Sequence, residues 1–340
     1  MINPEDFVEL CKSGSVQQVR EAIQAGGCID AKSQDNRTAL MAASEESRDP
    51  EVINVLLEAG ADIEAKDQFG STALMNAARK SNVEAVRVLL EAGADINARS
   101  EDGMTALMEA LWGLGIDETP EAVEIVNLLI QAGADVNAKN EDGTTALMEA
   151  AYSKEPDVVN ILLEAGADVN ARAADGKTAL HSAAAKGDPR IIRILLRSGA
   201  DVNAKVAGGF NAGMTPLLFA RTPIAAKVLL DAGADIEARD GSGSTALVYA
   251  AREGRLGLFR MLLKAGADTG VRDTSGGTLL TVAAESASKP KMIKELVDVV
   301  DSDTAPFWGY VVKEHPEICD FESADPFGRV VYPDRQQVLH

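Results

Sequence analysis

The stretch TALMEAAYSKEPDVVNILLEAGADVNA, Thr145 to Ala171, decides the fold. It opens on a threonine, whose hydroxyl suits the N-terminal cap of a helix. The small pair Ala150-Ala151 lets that helix approach its neighbours closely. Pro156 opens a second helix, at a first-turn position where a missing N–H does no harm. An apolar stripe follows, clearest two units upstream as Val83, Val86, Leu89 and Leu90. The glycine of A-G-A-D then ends the helix in a left-handed conformation.

Working outward, the same unit recurs. The threonine of a T-x-L triplet stands at Thr38, Thr72, Thr105, Thr145, Thr178, Thr215, Thr245 and Thr278, at intervals of 34, 33, 40, 33, 37, 30 and 33. The base period is therefore 33 residues, with insertions and one deletion. Such periodicity marks a stack of repeats, which is one body whatever its length. A-G-A-D closes the units at Ala59–Asp62, Ala92–Asp95, Ala132–Asp135, Ala165–Asp168, Ala232–Asp235 and Ala265–Asp268, and S-G-A-D does so at Ser198–Asp201. Twelve residues usually separate that glycine from the next threonine, and they hold D-G turns at Asp102-Gly103, Asp142-Gly143 and Asp175-Gly176. This is the chemistry of a tight hairpin. Asn36 replaces the turn glycine in the first copy, asparagine being the next best residue for positive φ.

These motifs resemble the ankyrin repeat. DQFGSTALMNAA, EDGTTALMEAA, ADGKTALHSAA and LLEAGADVNA match the family pattern, over roughly residues 28–300. T-P-L survives only at Thr215 to Leu217, and the family histidine only at His181, with Met75, Met108 and Met148 among its replacements. The resemblance implies an all-α fold: an ankyrin-repeat solenoid of about nine stacked helix pairs with β-hairpin fingers and a non-repeat C-terminal segment. Residues 1–27 read as an N-terminal capping helix pair and 28–300 as the repeats. Residues 301–340 form a tail expected to pack on the last repeat. That tail holds six of the fourteen aromatics and eight acids against three bases.

In this family, binding residues sit on the finger tips and on the exposed side of the first helix. The position four residues after the threonine holds Ala42, Asn76, Glu109, Glu149, Ser182, Phe219, Tyr249 and Val282. Three residues later come Glu45, Arg79, Trp112, Tyr152, Ala185, Thr222, Arg252 and Glu285. Phe69 and Phe210 lie in the fingers. The candidate partner-binding residues are Phe69, Asn76, Arg79, Glu109, Trp112, Glu149, Tyr152, Phe210, Phe219 and Tyr249, since aromatics on a groove are typical interface anchors. The unit at Thr105 carries seven extra residues between its helices, and the finger before Thr215 carries four. Insertions in solenoids fall in loops on one face.

The formal charge of −20 disfavours nucleic acid and anionic membranes and would attract a basic protein. A row of cations, Lys32, Lys66, Arg99, Lys139, Arg172, Lys205, Arg239 and Arg272, has acids close by, so ion pairing along the fingers is expected of it. The three cysteines form no C-x-x-C, the N-terminus is acidic, and no apolar run is long enough to span a bilayer. A cytoplasmic monomer is expected. No phosphate loop, nucleophile elbow or zinc spacing occurs, which argues against an enzyme and against cofactors or metals. The expected function is a non-catalytic protein–protein interaction scaffold that binds a protein partner, basic by charge complementarity, through its concave face. Two alternatives stand beside it: an inhibitor or immunity-type protein blocking a basic enzyme, and a structural or assembly module that self-associates.

Overall fold

The computed structural model describes residues 3–47, 49–113, 120–153 and 155–272, with Thr274, Leu279 and Val282; the side chain of Phe210 is outside this set. Sixteen α-helices occur among the described residues. They form pairs: α1 (Pro4–Ser13) and α2 (Val16–Gln24); α3 (Ala39–Glu46) and α4 (Glu51–Glu58); α5 (Ala73–Arg79) and α6 (Val83–Glu91); α7 (Ala106–Gly113) and α8 (Pro120–Gln131). There follow α9 (Ala146–Tyr152) and α10 (Pro156–Glu164); α11 (Ala179–Lys186) and α12 (Pro189–Arg197); α13 (Pro216–Phe219) and α14 (Pro223–Asp231); α15 (Ala246–Arg252) and α16 (Leu256–Lys264). The chain divides into two compact units between Ala204 and Lys205. Apart from Leu279 and Val282, the ninth pair expected between Thr278 and Val300, and the tail, lie outside the described residues.

In the first unit, α1, α3, α5, α7, α9 and α11 pack in file, and α2, α4, α6, α8, α10 and α12 form a second file beside them. The first file is tight because its buried residues are small: Ala77, Ala78, Ala150, Ala151, Ala183 and Ala184 are fully buried. The second file supplies bulk through Val86, Leu89, Val158, Leu162, Ile191 and Leu195. Each such leucine or isoleucine contributes about 1.5–3 kcal/mol by leaving water. In the second unit α13 packs on α14 and α15, and α16 on α14 and α15. Three of the extra residues of the Thr105 unit lengthen α8, which has 12 residues where α6 and α10 have 9. Residues 114–119, between α7 and α8, are outside the described set.

The expected caps form in some repeats only. Thr38, Thr72 and Thr105 accept from the backbone N–H three residues on, at 3.3, 3.5 and 3.4 Å. The hydroxyls of Thr145, Thr215 and Thr245 are buried without a partner. His181 accepts the N–H of Thr178 at its Nδ1, 3.1 Å away. The sulfur of Met41 takes the same role toward Thr38 at 3.4 Å, so a methionine here keeps part of the histidine's polar contact.

The connections explain the motif spelling. Gly166 adopts φ 91° and lets Ala167 N–H reach back to the Leu162 carbonyl at 3.0 Å, closing α10. Asp168 then accepts from Asn170 N–H at 2.9 Å. The Asn170 amide takes the N–H of Asp201 at 2.9 Å and donates to the Gly199 carbonyl at 3.0 Å, both in the next repeat. Asn137 makes the same two bonds to Asp168 and Gly166. Thus D-x-N is a local turn joined to a clamp on the following loop. The fingers are built from turns, and no extended strand occurs among the described residues. Their tips are tied to one another: Glu101 N–H donates to Phe69 O, Glu141 to Asp102 O and Ala174 to Asp142 O, at 2.9, 2.9 and 2.8 Å. A Cβ on Gly143 would lie 2.8 Å from the Ala174 nitrogen, so this approach needs glycine. Asn36 takes φ 58°, as its place in the turn requires.

Ser81 carries φ 56° at the point between helices where Gly187 and Gly254 stand in other repeats. A side chain there is strained. Ser81→Gly is expected to stabilise the protein by about 0.5–1 kcal/mol, the relieved strain exceeding the added chain entropy. Equilibrium denaturation checks it; unchanged or reduced stability would refute the strain argument.

Candidate partner-binding face

The two first-helix columns separate into buried and exposed members. Asn76, expected on the exposed side, is 0% exposed. It lies on α5, on which both α3 and α7 pack. Its Oδ1 accepts from Arg79 Nη2 at 2.9 Å, and its Nδ2 has no partner. Arg79 also donates to Glu45 Oε1 at 2.9 Å, and Arg37 pairs with the other oxygen of Glu45. Glu45, absent from the sequence candidates, is therefore the buried hub of a polar network reaching from the first finger to α5. Its position in the exposed column hid this; only the convergence of two arginines from different elements reveals it.

Glu109 is 8% exposed and Glu149 is half-buried. Burial pushes the Glu109 carboxyl up; Arg79 opposes this, while Asp67 and Asp102 add to it. Burial alone raises Glu149. Beyond them the surface turns aromatic. Trp112 is 62% exposed, Tyr152 52% and the finger residue Phe69 60%. Lys186 sits over the Tyr152 ring, 4.7 Å from its centre, within cation–π range.

The remaining candidates lie in the second unit. Phe219 is half-buried at the end of α13, and Phe210 lies in a 3-10 turn, Gly209–Asn211. The Tyr249 hydroxyl donates to Asp240 Oδ2 at 2.7 Å, and Arg252 lies over its ring. Burial and that carboxylate push the Tyr249 hydroxyl up to about 12. Asp240 also accepts from the N–H groups of Ser242 and Ser244, so Tyr249 braces a finger.

The first four members of the cation row differ from their sequence expectation of ion pairing. Lys32 donates to the Lys66 carbonyl, Lys66 to that of Arg99, Arg99 to that of Lys139 and Lys139 to that of Arg172, at 2.9, 2.8, 2.6 and 2.9 Å. Each of these four cations thus satisfies the backbone of the next finger, whereas Arg172 reaches the Gly176 carbonyl of its own finger at 3.3 Å. Among the described residues, no His, Cys, Asp and Glu group could hold a metal ion, and no helix is long and apolar enough to cross a membrane. Cys11 is buried, which pushes its thiol up to about 12 and leaves it a packing residue.

Because burial holds the Glu149 carboxyl above its usual value, the folded state binds that proton more tightly than the unfolded state. Its cost to stability is absent below the ordinary value of 4.5, enters as pH rises through it, and persists at neutral pH. Glu149→Gln is therefore expected to melt above the parent protein at pH 7, with the gap closing on acidification. Thermal melts over a pH series check this; a gap independent of pH would contradict it.

Comparisons with known proteins agree with this architecture. A family model described as ankyrin repeats (3 copies) matches residues 49–140 and 119–206, and one described as ankyrin repeats (many copies) matches 229–283. A search of curated protein sequences finds no match. Among solved structures, the ankyrin repeat domain of Bcl-3, described as a unique member of the IkappaB protein family, is similar. It is 32% identical, with a TM-score of 0.55, over 67% of this chain and 98% of that one. With the 33-residue period, the glycine-ended second helices and the D-x-N clamps already in place, the chain belongs to the ankyrin-repeat family.

Proposed function

We propose that the protein is a non-catalytic scaffold that grips a polypeptide partner through the finger-tip and first-helix face of its first unit. Ankyrin repeats are generally protein–protein interaction modules. One observation carries the reading to this face. Of the four large apolar residues exposed among the described residues, Phe69, Trp112 and Tyr152 fall in three successive repeats, on a finger tip and at equivalent helix positions. Exposed aromatics clustered on a rigid support are what an interface anchor needs. The scaffold acts as a monomer within the cytoplasm and takes no cofactor. The charge of −20 supports a basic partner, and with it a second reading in which the partner is a basic enzyme held inactive.

Photo-crosslinking tests the face. A benzophenone side chain at Phe69, Trp112 or Tyr152 should capture discrete polypeptides in cells making the protein. The same group at Arg193, on the exposed side of α12, should not. Capture from Arg193 alone would move the interface to the other face. Self-association through the ends would instead yield a cross-linked species of twice the chain mass.

A further inference from the structure

Glu109 and Glu149 occupy the same place in adjacent repeats, on α7 and α9, which pack together. Among the described residues, no group forms a hydrogen bond or ion pair with either carboxylate, although Glu109 is more than nine-tenths buried. The cation whose charge bears on Glu109 is Arg79, and its guanidinium is engaged by Glu45 and Asn76, at 2.9 Å each. Asp67 and Asp102, at the finger tips, make the surroundings more negative. Three residues beyond each glutamate, hence on the same helix face, stand the exposed rings of Trp112 and Tyr152. Lys186 over Tyr152 demonstrates that this face accepts a cation against an aromatic ring.

An unpaired buried carboxylate is costly to a fold, and glutamine would serve the packing with no charge to desolvate. One such group, Glu109, with the half-buried Glu149 beside it and exposed rings next to both, makes sense if the missing cation comes from outside. We propose that this face receives an arginine from an extended segment of the partner, its guanidinium between Glu109 and Glu149 and its stem along Trp112 and Tyr152. Arginine fits better than lysine. Its planar fork offers five donors to two carboxylates on helices roughly 8–10 Å apart, and it stacks on aromatic faces. The assignment rests on the scaffold reading above and specifies the partner's chemistry.

A random peptide library selected against the immobilised full chain supplies the probe. Enriched peptides are titrated against the parent protein, Trp112→Ala/Tyr152→Ala, and Glu109→Gln/Glu149→Gln. The expected peptides contain an arginine whose replacement by lysine or alanine weakens binding about tenfold or more. Glu109→Gln/Glu149→Gln should cost as much, and replacing the arginine should then cost nothing further, which is the signature of direct coupling. The glutamine variants should melt no lower than the parent, so that lost binding is not unfolding. Peptides that need the two rings but ignore the glutamates would overturn the arginine site and leave the scaffold reading standing, as would peptides in which lysine serves equally well. If no selected peptide depends on either pair, both readings fall.

Discussion

Leu162→Ala is expected to destabilise the protein by about 2–5 kcal/mol. Leu162 is fully buried in α10, which packs on α8, α9 and α12. The surrounding side chains belong to three other helices, so the cavity left by truncation cannot close by shifting one of them. Stability in a repeat array is roughly a sum of repeat and nearest-neighbour terms, and this change weakens both interfaces of one central repeat. The measurement is urea denaturation with hydrogen exchange resolved by segment. Protection should fall first around α9 and α10 and spread outward. A loss below about 1 kcal/mol would mean that the site collapses readily, which its burial argues against.

Glu45→Ala is expected to cost about 3 kcal/mol, near the low end for removing one partner of a buried ion pair. The carboxylate is buried while Arg37 and Arg79 are each about one-third exposed. Both guanidiniums therefore regain some water once the acid is gone, which limits the loss. What remains is two like charges facing each other and a partly emptied bond set around Asn76. The network need not be net stabilising, since an ion pair is often no better than apolar groups of its size. The decisive comparison is Glu45→Met/Arg79→Met, which should recover much of the lost stability. If the double change is as damaging as both single changes added, the three groups act independently and the hub description is wrong.

The fold was legible because repeat chemistry maps backbone needs onto residue types. A left-handed position calls for glycine or asparagine, and Asn36 and Gly166 both take positive φ where the motif puts them. The same logic missed Ser81, a residue type that gives no sign of its strained φ. Threonine at each helix start was a weaker guide: Thr145, Thr215 and Thr245 are in place, yet their hydroxyls make no bond, and at Thr145 and Thr215 the third N–H donates to the threonine's own carbonyl instead, at 3.0 Å. The candidate face was legible as columns and not as surfaces. Asn76 and Trp112 occupy neighbouring columns, but side-chain length and the helices on either side make one fully buried and the other largely exposed. Lys32, Lys66, Arg99 and Lys139 of the cation row were misassigned for a related reason. Their acceptors are main-chain carbonyls, which no residue letter records.

Among the described residues of the first unit, the bonds between successive loops through Asn137, Asn170 and the lysine and arginine rungs run from one repeat to the next. The first unit should therefore be a brittle spring under tension. Drawn from its two ends, it would shed repeats singly from an extremity, each release paying out about 110 Å of slack for a 33-residue period, while the interior kept its grip on whatever it held.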